Sequence, residues 1–268
     1  MADLHGWRRH RVLHHSTYHL ARPTRPEVVV QLQPASGPRQ RGRLIQIGAR
    51  PLPKEVVAFD DALENRCHRL SFGAPLSTLA LWVVSEVERP LAPPAWPAIA
   101  WEELVVPGAD EPTPLVDPAA FAGHGDACFA PGRRLAEVVA SLHRRLREDM
   151  RYDERALSSG ELEPAAVALK RGVGVCSDFA QVMLGALRAR GLPARQVGGY
   201  LVRGRSAELH AWVALRVGDD WLEIDPTSGE LAGPRHLRVA WGRDGSDLRP
   251  VRVDAEVRRV SSRIEVGS

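Results

Sequence analysis

The sequence predicts an α+β fold in which strands come first, helices follow and further strands close the second half. Short stretches of alternating apolar and polar residues fill the segment 7–88, a pattern typical of half-buried strands. Later segments carry apolar residues at helical spacing, and strand-like runs come after them. Helices and strands that are segregated along the chain in this way are typical of the α+β class.

The composition is that of an ordinary globular protein. Of 268 residues, 44% are hydrophobic and 26% are charged, and the 36 Lys and Arg residues nearly balance the 33 Asp and Glu residues. The small excess of positive charge is spread along the chain without a basic block that alternates with aromatics, so we expect no nucleic-acid partner. No stretch reaches the roughly 18 apolar residues of a membrane span, and we expect no membrane association.

Three widely spaced cysteines, Cys67, Cys128 and Cys176, predict no disulfide framework and favour a reducing compartment, so we expect a cytoplasmic protein. No pair of cysteines and no cluster of cysteines and histidines has the spacing of metal ligands. The nine histidines other than His210 form no ligand pattern. We therefore expect neither a metal nor a cofactor.

The first half is predicted to form several short strands that are separated by turn-forming clusters at 34–38 and 60–61. The predicted positions are 28–32, 44–47, 56–59, 68–72 and 79–83. Strands of this length and spacing indicate a small antiparallel sheet or sandwich. A proline-rich passage at 90–118 then disfavours both helix interiors and central strands. We place the domain boundary there, with a β-rich domain at 1–108 and a second domain at 109–268.

The second half opens with helices and ends in strands. Apolar residues at helical spacing predict a helix over 135–146, and Pro164 and Gly172 bracket a short helix at about 164–170. A further helix begins near Cys176, keeps its apolar spacing to Leu187 and stops before Gly191 and Pro193. The strands that follow are predicted at 195–202, 210–217 and 221–225.

Cys176 has the surroundings of a nucleophile. A glycine-rich loop, 172–174, precedes it, and an amphipathic helix follows it. A cysteine in the first turn of a helix lies near the positive end of the helix dipole, which favours the thiolate. The free N–H groups of that turn can also stabilise an oxyanion when a carbonyl is attacked. A lone cysteine is more often an inert core residue, so the hypothesis depends on its partners.

His210 and Asp225 are the predicted partners. If Gly218 and Asp219 form a two-residue turn, Val217 pairs with Asp220, and His210 and Asp225 lie on the same face of the hairpin. A one-residue change in register would put them on opposite faces. His210 would then exchange protons with Cys176, and Asp225 would orient the imidazole.

Two further residues are candidates for contact with substrate. Tyr152 could offer its hydroxyl to the oxyanion, although a capping or packing role is the alternative. Trp212 could line a substrate groove, although a tryptophan in a strand is more often a core residue.

Six motifs together resemble the bacterial transglutaminase-like core. They are GVCSDFA at 174–180, GLPAR at 191–195, GGY at 198–200, HAW at 210–212, DPT at 225–227 and WGRD at 241–244. The β-rich first half, with Asn65 and the run to Phe72, is similar to the N-terminal region that accompanies this core in bacteria. The resemblance covers about residues 9–260.

The resemblance implies a papain-like cysteine-peptidase fold for the core and assigns the roles of a catalytic triad to Cys176, His210 and Asp225. This chain departs from the family pattern at four positions outside the triad, which concern substrate preference more than chemistry. They are Glu64, Gln181, Leu209 and Gly245.

The expected function is acyl transfer at amide or peptide carbonyls through a cysteinyl thioester. Water as acceptor would make the protein a peptidase or amidase, which we favour slightly because no residue marks an amine site. A primary amine as second substrate would make it a protein-glutamine transglutaminase. A third hypothesis is a non-catalytic module that binds a peptide or partner on the same fold. The substrate in the enzymatic cases is a protein or peptide, and the sequence leaves the oligomeric state open.

Overall fold

A computed structural model describes residues 6–92, 94–157 and 162–267 and confirms the α+β class. Within these ranges the α-helices are α1 (Leu135–Asp149), α2 (Ala165–Arg171) and α3 (Cys176–Arg188). None of them is long and apolar enough to cross a membrane. The strands are β1 (Trp7–Thr24), β2 (Val28–Val30), β3 (Arg41–Arg50), β4 (Glu55–Asp60), β5 (Arg66–Ser71), β6 (Leu76–Pro90), β7 (Arg151–Tyr152), β8 (Val173–Gly174), β9 (Ala194–Arg203), β10 (Ser206–Val217), β11 (Asp220–Asp225), β12 (Glu230–Leu231), β13 (His236–Gly242), β14 (Val251–Val253) and β15 (Val257–Gly267).

The strands of the first half do not form a sheet of their own. β1, β3 and β6 belong to a nine-stranded sheet that also contains β9 to β13 and β15. β2, β4 and β5 form a four-stranded sheet with β14, which comes from the last part of the described chain. Both ends of the chain therefore build the same two sheets. The division at residues 108 and 109 stays a prediction.

The long strand β1 connects the two halves. On one side it pairs antiparallel with β6, and on the other with β15, from Arg11 opposite Gly267 to Leu20 opposite Val257. β15 meets β10 where Ser206 lies opposite Glu265. The nine-stranded sheet is therefore continuous from β3, in the first half, to the hairpin of β10 and β11.

α3 packs against β10, and α1 and α2 pack against α3, so that together they form the first hydrophobic core. α3 is buried along almost its whole length, and Val182, Met183 and Leu187 are inaccessible to solvent. These side chains contact the apolar face of α1 and the residues Val213 and Leu215 of β10. The core holds α3, and with it Cys176, firmly against the sheet.

A second core contains residues from both halves. Val28, Leu32 and Leu81 of the first half share it with Leu237 and Val239 of β13. Because burial of apolar surface is the main source of stability, this core attaches the first half to the strands next to the candidate site.

Candidate active site

Cys176 is the first residue of α3, as the sequence predicts, and its side chain is partly exposed. The helix start is fixed by Asp178, whose Oδ2 accepts a hydrogen bond from the N–H of Val175 at 2.9 Å. Gly174 is needed there because a Cβ at this position would lie only 2.6 Å from the Cβ of Asp178. The thiol therefore lies at the positive end of a rigid helix.

The hairpin of β10 and β11 has the predicted register. Its ladder runs from Val213 opposite Ile224 to Val217 opposite Asp220, and Gly218 in the turn has φ 61°. One detail of the prediction was wrong: β10 begins at Ser206, so His210 lies inside the strand instead of at its start. The segment before His210 lacks apolar alternation because its own side chains, from Ser206 to Leu209, are exposed or half-buried, although it pairs with β9.

His210 and Asp225 are buried and in direct contact. His210 Nε2 lies 2.9 Å from Asp225 Oδ2. The other oxygen, Oδ1, accepts hydrogen bonds from the backbone N–H and the hydroxyl of Thr227 at 2.9 and 2.7 Å. Burial alone would raise the pKa of Asp225, but the hydrogen bonds from His210 and a second histidine outweigh it and hold this pKa far below its usual range. The carboxylate is therefore ionised.

The His210 imidazole lies between Asp225 and Cys176. Burial opposes its protonation, yet the hydrogen bond to Asp225 and the neighbouring Cys176 thiol together raise its pKa to about 10. Nδ1, the nitrogen that does not face Asp225, is buried without a hydrogen bond of standard geometry in the described part of the chain. The thiol thus interacts with the ring more loosely than Asp225 does. Loose contacts of this kind are common in sites without substrate.

Trp212 is fully buried, with 0% of its surface exposed, so it does not reach a substrate groove as the sequence suggested. Its ring instead stacks on that of His210, with centroids 6.0 Å apart and an angle of 30°. Its indole N–H donates to Glu223 Oε2 at 3.1 Å, and Arg238 pairs with the same carboxylate at 2.6 Å. Trp212 therefore packs against the face of the His210 ring and helps to hold its orientation.

Tyr152 lies at the end of β7, partly exposed and tilted against Phe179 of α3 with ring centroids 6.0 Å apart. Burial, followed by the nearby Cys176, raises the pKa of the Tyr152 hydroxyl to about 12. The hydroxyl therefore remains a hydrogen-bond donor over the physiological range, close to the cysteine.

His236 is the residue that the sequence did not single out. Its Nε2 lies 3.1 Å from Asp225 Oδ2, and its side chain is buried. It precedes the WGRD motif on β13, but no spacing rule relates it to Asp225. The only sequence signal would have been its position at the start of the strand that carries this motif.

His210, Asp225 and His236 place three possible metal-ligand atoms within 4.8 Å of one another. The backbone N–H of Gly233 donates to His236 Nδ1 at 3.2 Å, which requires that the ring proton be on Nε2. A metal ion at Nε2 would need that nitrogen free of a proton. The hydrogen bonds thus favour protons, not a metal, between these side chains.

A cavity of about 420 Å³ opens beside Cys176 and His210, which is within the usual size range of ligand sites. Its wall is mostly apolar and comes from both halves of the chain. Lining residues include Gln31, Leu32, Gln196, Leu209, Val239 and Leu248.

The chain matches the model of the transglutaminase-like superfamily over residues 128–226 and that of the bacterial transglutaminase-like N-terminal region over residues 10–88. An uncharacterized protein of Mycobacterium tuberculosis is 30% identical in an alignment of 285 positions, which spans 93% of this chain and 88% of that protein. An uncharacterized protein of Mycobacterium leprae is 28% identical over 270 residues, 92% of each chain.

Among solved structures, a candidate cysteine protease from Cytophaga hutchinsonii superposes with a TM-score of 0.75 at 18% identity, over 97% of this chain and 91% of that one. This likeness concerns the fold, and it confirms the papain-like architecture that the sequence motifs imply. With a relative at 30% identity along nearly the full length and family models over both halves, the chain belongs to the transglutaminase-like superfamily.

Proposed function

We propose that this protein is a cysteine enzyme that cleaves amide or peptide bonds of a protein or peptide substrate. The observation that carries the proposal is the buried pair of His210 and Asp225 beside a cysteine at the start of a helix. Burying two charged groups costs free energy, so such a pair needs a reason. The hydrogen bond between them keeps the imidazole oriented, which supports a role in proton transfer.

In the first step, Cys176 Sγ attacks the carbonyl carbon and forms a C–S bond. The C–N bond breaks, and the leaving amine takes the proton that His210 holds. In the second step, water attacks the thioester carbon and gives a proton to His210. The C–S bond then breaks, which restores the Cys176 sulfur and releases the carboxylic acid product. A primary amine in place of water would give a new amide and restore the enzyme in the same way.

The oxyanion of each step would be stabilised by the free N–H groups in the first turn of α3 and by the Tyr152 hydroxyl. The high pKa of Tyr152 supports its part, because a phenol that stays protonated can donate a hydrogen bond. We keep Tyr152 as the proposed substrate contact, and we propose that Trp212 packs against the imidazole without touching substrate.

Hydrolysis is favoured over amine transfer by the character of the cavity. Among the described residues that line it, none is a carboxylate that would bind an ammonium group. A primary amine is mostly protonated at neutral pH, so it must be recognised and must lose that proton before it attacks. Water is already neutral and loses a proton to His210 as it attacks.

The test compares wild type with Cys176→Ala on a glutamine-containing protein, with and without an added primary amine. We expect wild type alone to produce new termini or ammonia, with little incorporation of the amine. Cys128→Ala is the matched control, because Cys128 is a buried free thiol away from the cavity, and it should keep the wild-type activity. Equal product from wild type and Cys176→Ala would exclude the proposal, and efficient incorporation would replace hydrolysis with transfer.

We also propose a reducing compartment such as the cytoplasm. All three cysteines are free, and Cys67 and Cys128 are buried. A nucleophilic thiol without a resolving cysteine works best where thiols stay reduced.

A further inference from the structure

The Asp225 carboxylate accepts four hydrogen bonds in a buried site, and two of them come from histidines that share one oxygen. His210 Nε2 and His236 Nε2 lie 2.9 and 3.1 Å from Oδ2. The acyl-transfer mechanism uses only the first of these contacts. A second buried histidine on the same oxygen requires an explanation, because burial of each polar side chain has a cost.

The protonation state of His236 follows from its other contact. The N–H of Gly233 donates to His236 Nδ1, so the single proton of the neutral ring lies on Nε2 and points at Asp225. His236 is 4% exposed, and its ring packs edge-on against Trp212, with centroids 5.4 Å apart. His236 is therefore a rigid, neutral donor whose direction is fixed by its packing.

We propose that His236 is a positioning residue that holds the Asp225 carboxylate in place and draws part of its negative charge away from His210. It thereby lowers the basicity of His210 to a range in which the imidazole can still give up its proton. This role rests on the proposed function, since it concerns the same proton transfer. Second-layer hydrogen bonds of this kind orient and tune the residues that they contact.

Several other charged or titratable groups lie near His210 and Asp225, and the test must keep all of them unchanged. Cys176 on α3 interacts with His210, and His143 on α1 interacts with Asp225. Tyr152 on β7 interacts with Cys176 and with Glu208 on β10, and Glu223 on β11 bonds to Trp212.

The test uses His236→Phe, which keeps a ring against Trp212 but removes the donor, and His236→Gln, which retains an N–H. His10→Phe is the matched control: His10 is also buried and hydrogen-bonded to the same loop, through the Pro234 carbonyl at 2.9 Å, but it does not contact Asp225. The readouts are the pH profile of kcat/KM and an NMR titration of the His210 ring, assigned by its loss in His210→Gln.

For His236→Phe we expect the alkaline limb and the His210 titration to move up by roughly one pH unit, with kcat about tenfold lower. His236→Gln should restore both midpoints, and His10→Phe should not move them. A lower melting temperature in His236→Phe with unchanged midpoints would overturn the proposal, since that is the result of a structural role alone. If wild type has no Cys176-dependent turnover, the proposed function fails, and the NMR titration still decides the role of His236.

Discussion

His210 and Asp225 are both buried, and both remain charged because each supplies the other with a counter-charge. The pKa of the imidazole is raised to about 10, and that of the carboxyl group is held well below its usual range. Breaking such a pair leaves one uncompensated charge in the core, which is strongly destabilising. At this scale, stability and the proposed chemistry depend on the same hydrogen bond.

This coupling predicts how stability varies with alkaline pH. The pKa of His210 rises from 6.5 to about 10 on folding, so the folded state holds its proton over a range where the unfolded chain has lost it. The stabilisation is complete below pH 6.5 and is lost as the pH rises towards 10. We expect the unfolding free energy of wild type, measured by denaturant at intervals between pH 6.5 and 10, to fall with increasing pH.

His210→Gln is the control for that series, because it removes the titrating group. Its unfolding free energy should be lower at pH 6.5 and should vary less over the same range. Parallel curves for the two proteins would show that the imidazole is not the source of the loss.

Among single residues, the sequence allowed the prediction of the contact between His210 and Asp225, but not of the contact between His236 and Asp225. The first depends on two residues of one hairpin, where strand periodicity and a two-residue turn decide which side chains meet. The second depends on β13, which reaches Asp225 through tertiary packing. Trp212 was placed wrongly because a strand residue next to a candidate histidine can face either the groove or the core.

At the scale of elements, α3 and the hairpin of β10 and β11 were predicted well, whereas β1 was not. α3 has apolar residues at strict helical spacing, and the hairpin has a glycine in its turn. The inward face of β1 instead carries His10, His14 and Ser16 along with Val12. His14 is satisfied by the Tyr200 hydroxyl at 3.1 Å and by Ser16 at 3.0 Å. Buried polar residues of this kind conceal the alternation that identifies a strand.

The close packing of β9 predicts that one added methyl group at Gly199 strongly lowers stability. A Cβ at Gly199 would lie 2.2 Å from the carbonyl oxygen of Leu237 on β13 and 2.7 Å from the Trp212 ring. Both neighbours are buried, and one is backbone, so neither can move cheaply. We expect Gly199→Ala to lower the unfolding free energy by about 2–3 kcal/mol or more, as measured by urea denaturation.

Gly73→Ala provides the comparison, because no heavy atom lies within 4 Å of its Cβ position. Its unfolding free energy should stay within about 0.5 kcal/mol of wild type. Equal effects of the two substitutions would mean that β9 and β13 separate more readily than their contacts indicate.

At the scale of the whole molecule, the pairing of β15 with β1 is the feature that local sequence patterns did not reveal. Alternation in a strand can indicate that it pairs, but not with which partner, and β1 and β15 do not show even that signal clearly. β1 and β15 contribute buried residues such as Val12, Ile264 and Val266 to the second core. Family resemblance indicated two regions, and the sheets show that the strands of these regions interleave.

The shared sheets predict the behaviour of a fragment. The segment 109–268 alone would leave β15 without β1 and would expose the apolar residues of β13, including Leu237 and Val239. We expect it to aggregate or to unfold without cooperativity, as followed by circular dichroism and dye binding. Co-expression with the segment 1–108 should restore a cooperative transition. If the fragment alone unfolds at the full-length midpoint, the division at 108 and 109 separates two independent domains.

The cavity beside Cys176 contains residues from distant parts of the chain, among them Leu32 near its start and Leu248 and Pro250 near its end. A ribosome synthesises the cysteine some seventy residues before the last part of that wall. A growing polypeptide therefore carries the proposed nucleophile for a time without the complete cavity beside it. The proposed reaction with a bound substrate thus requires residues that are translated well after Cys176, a consequence of chain topology alone.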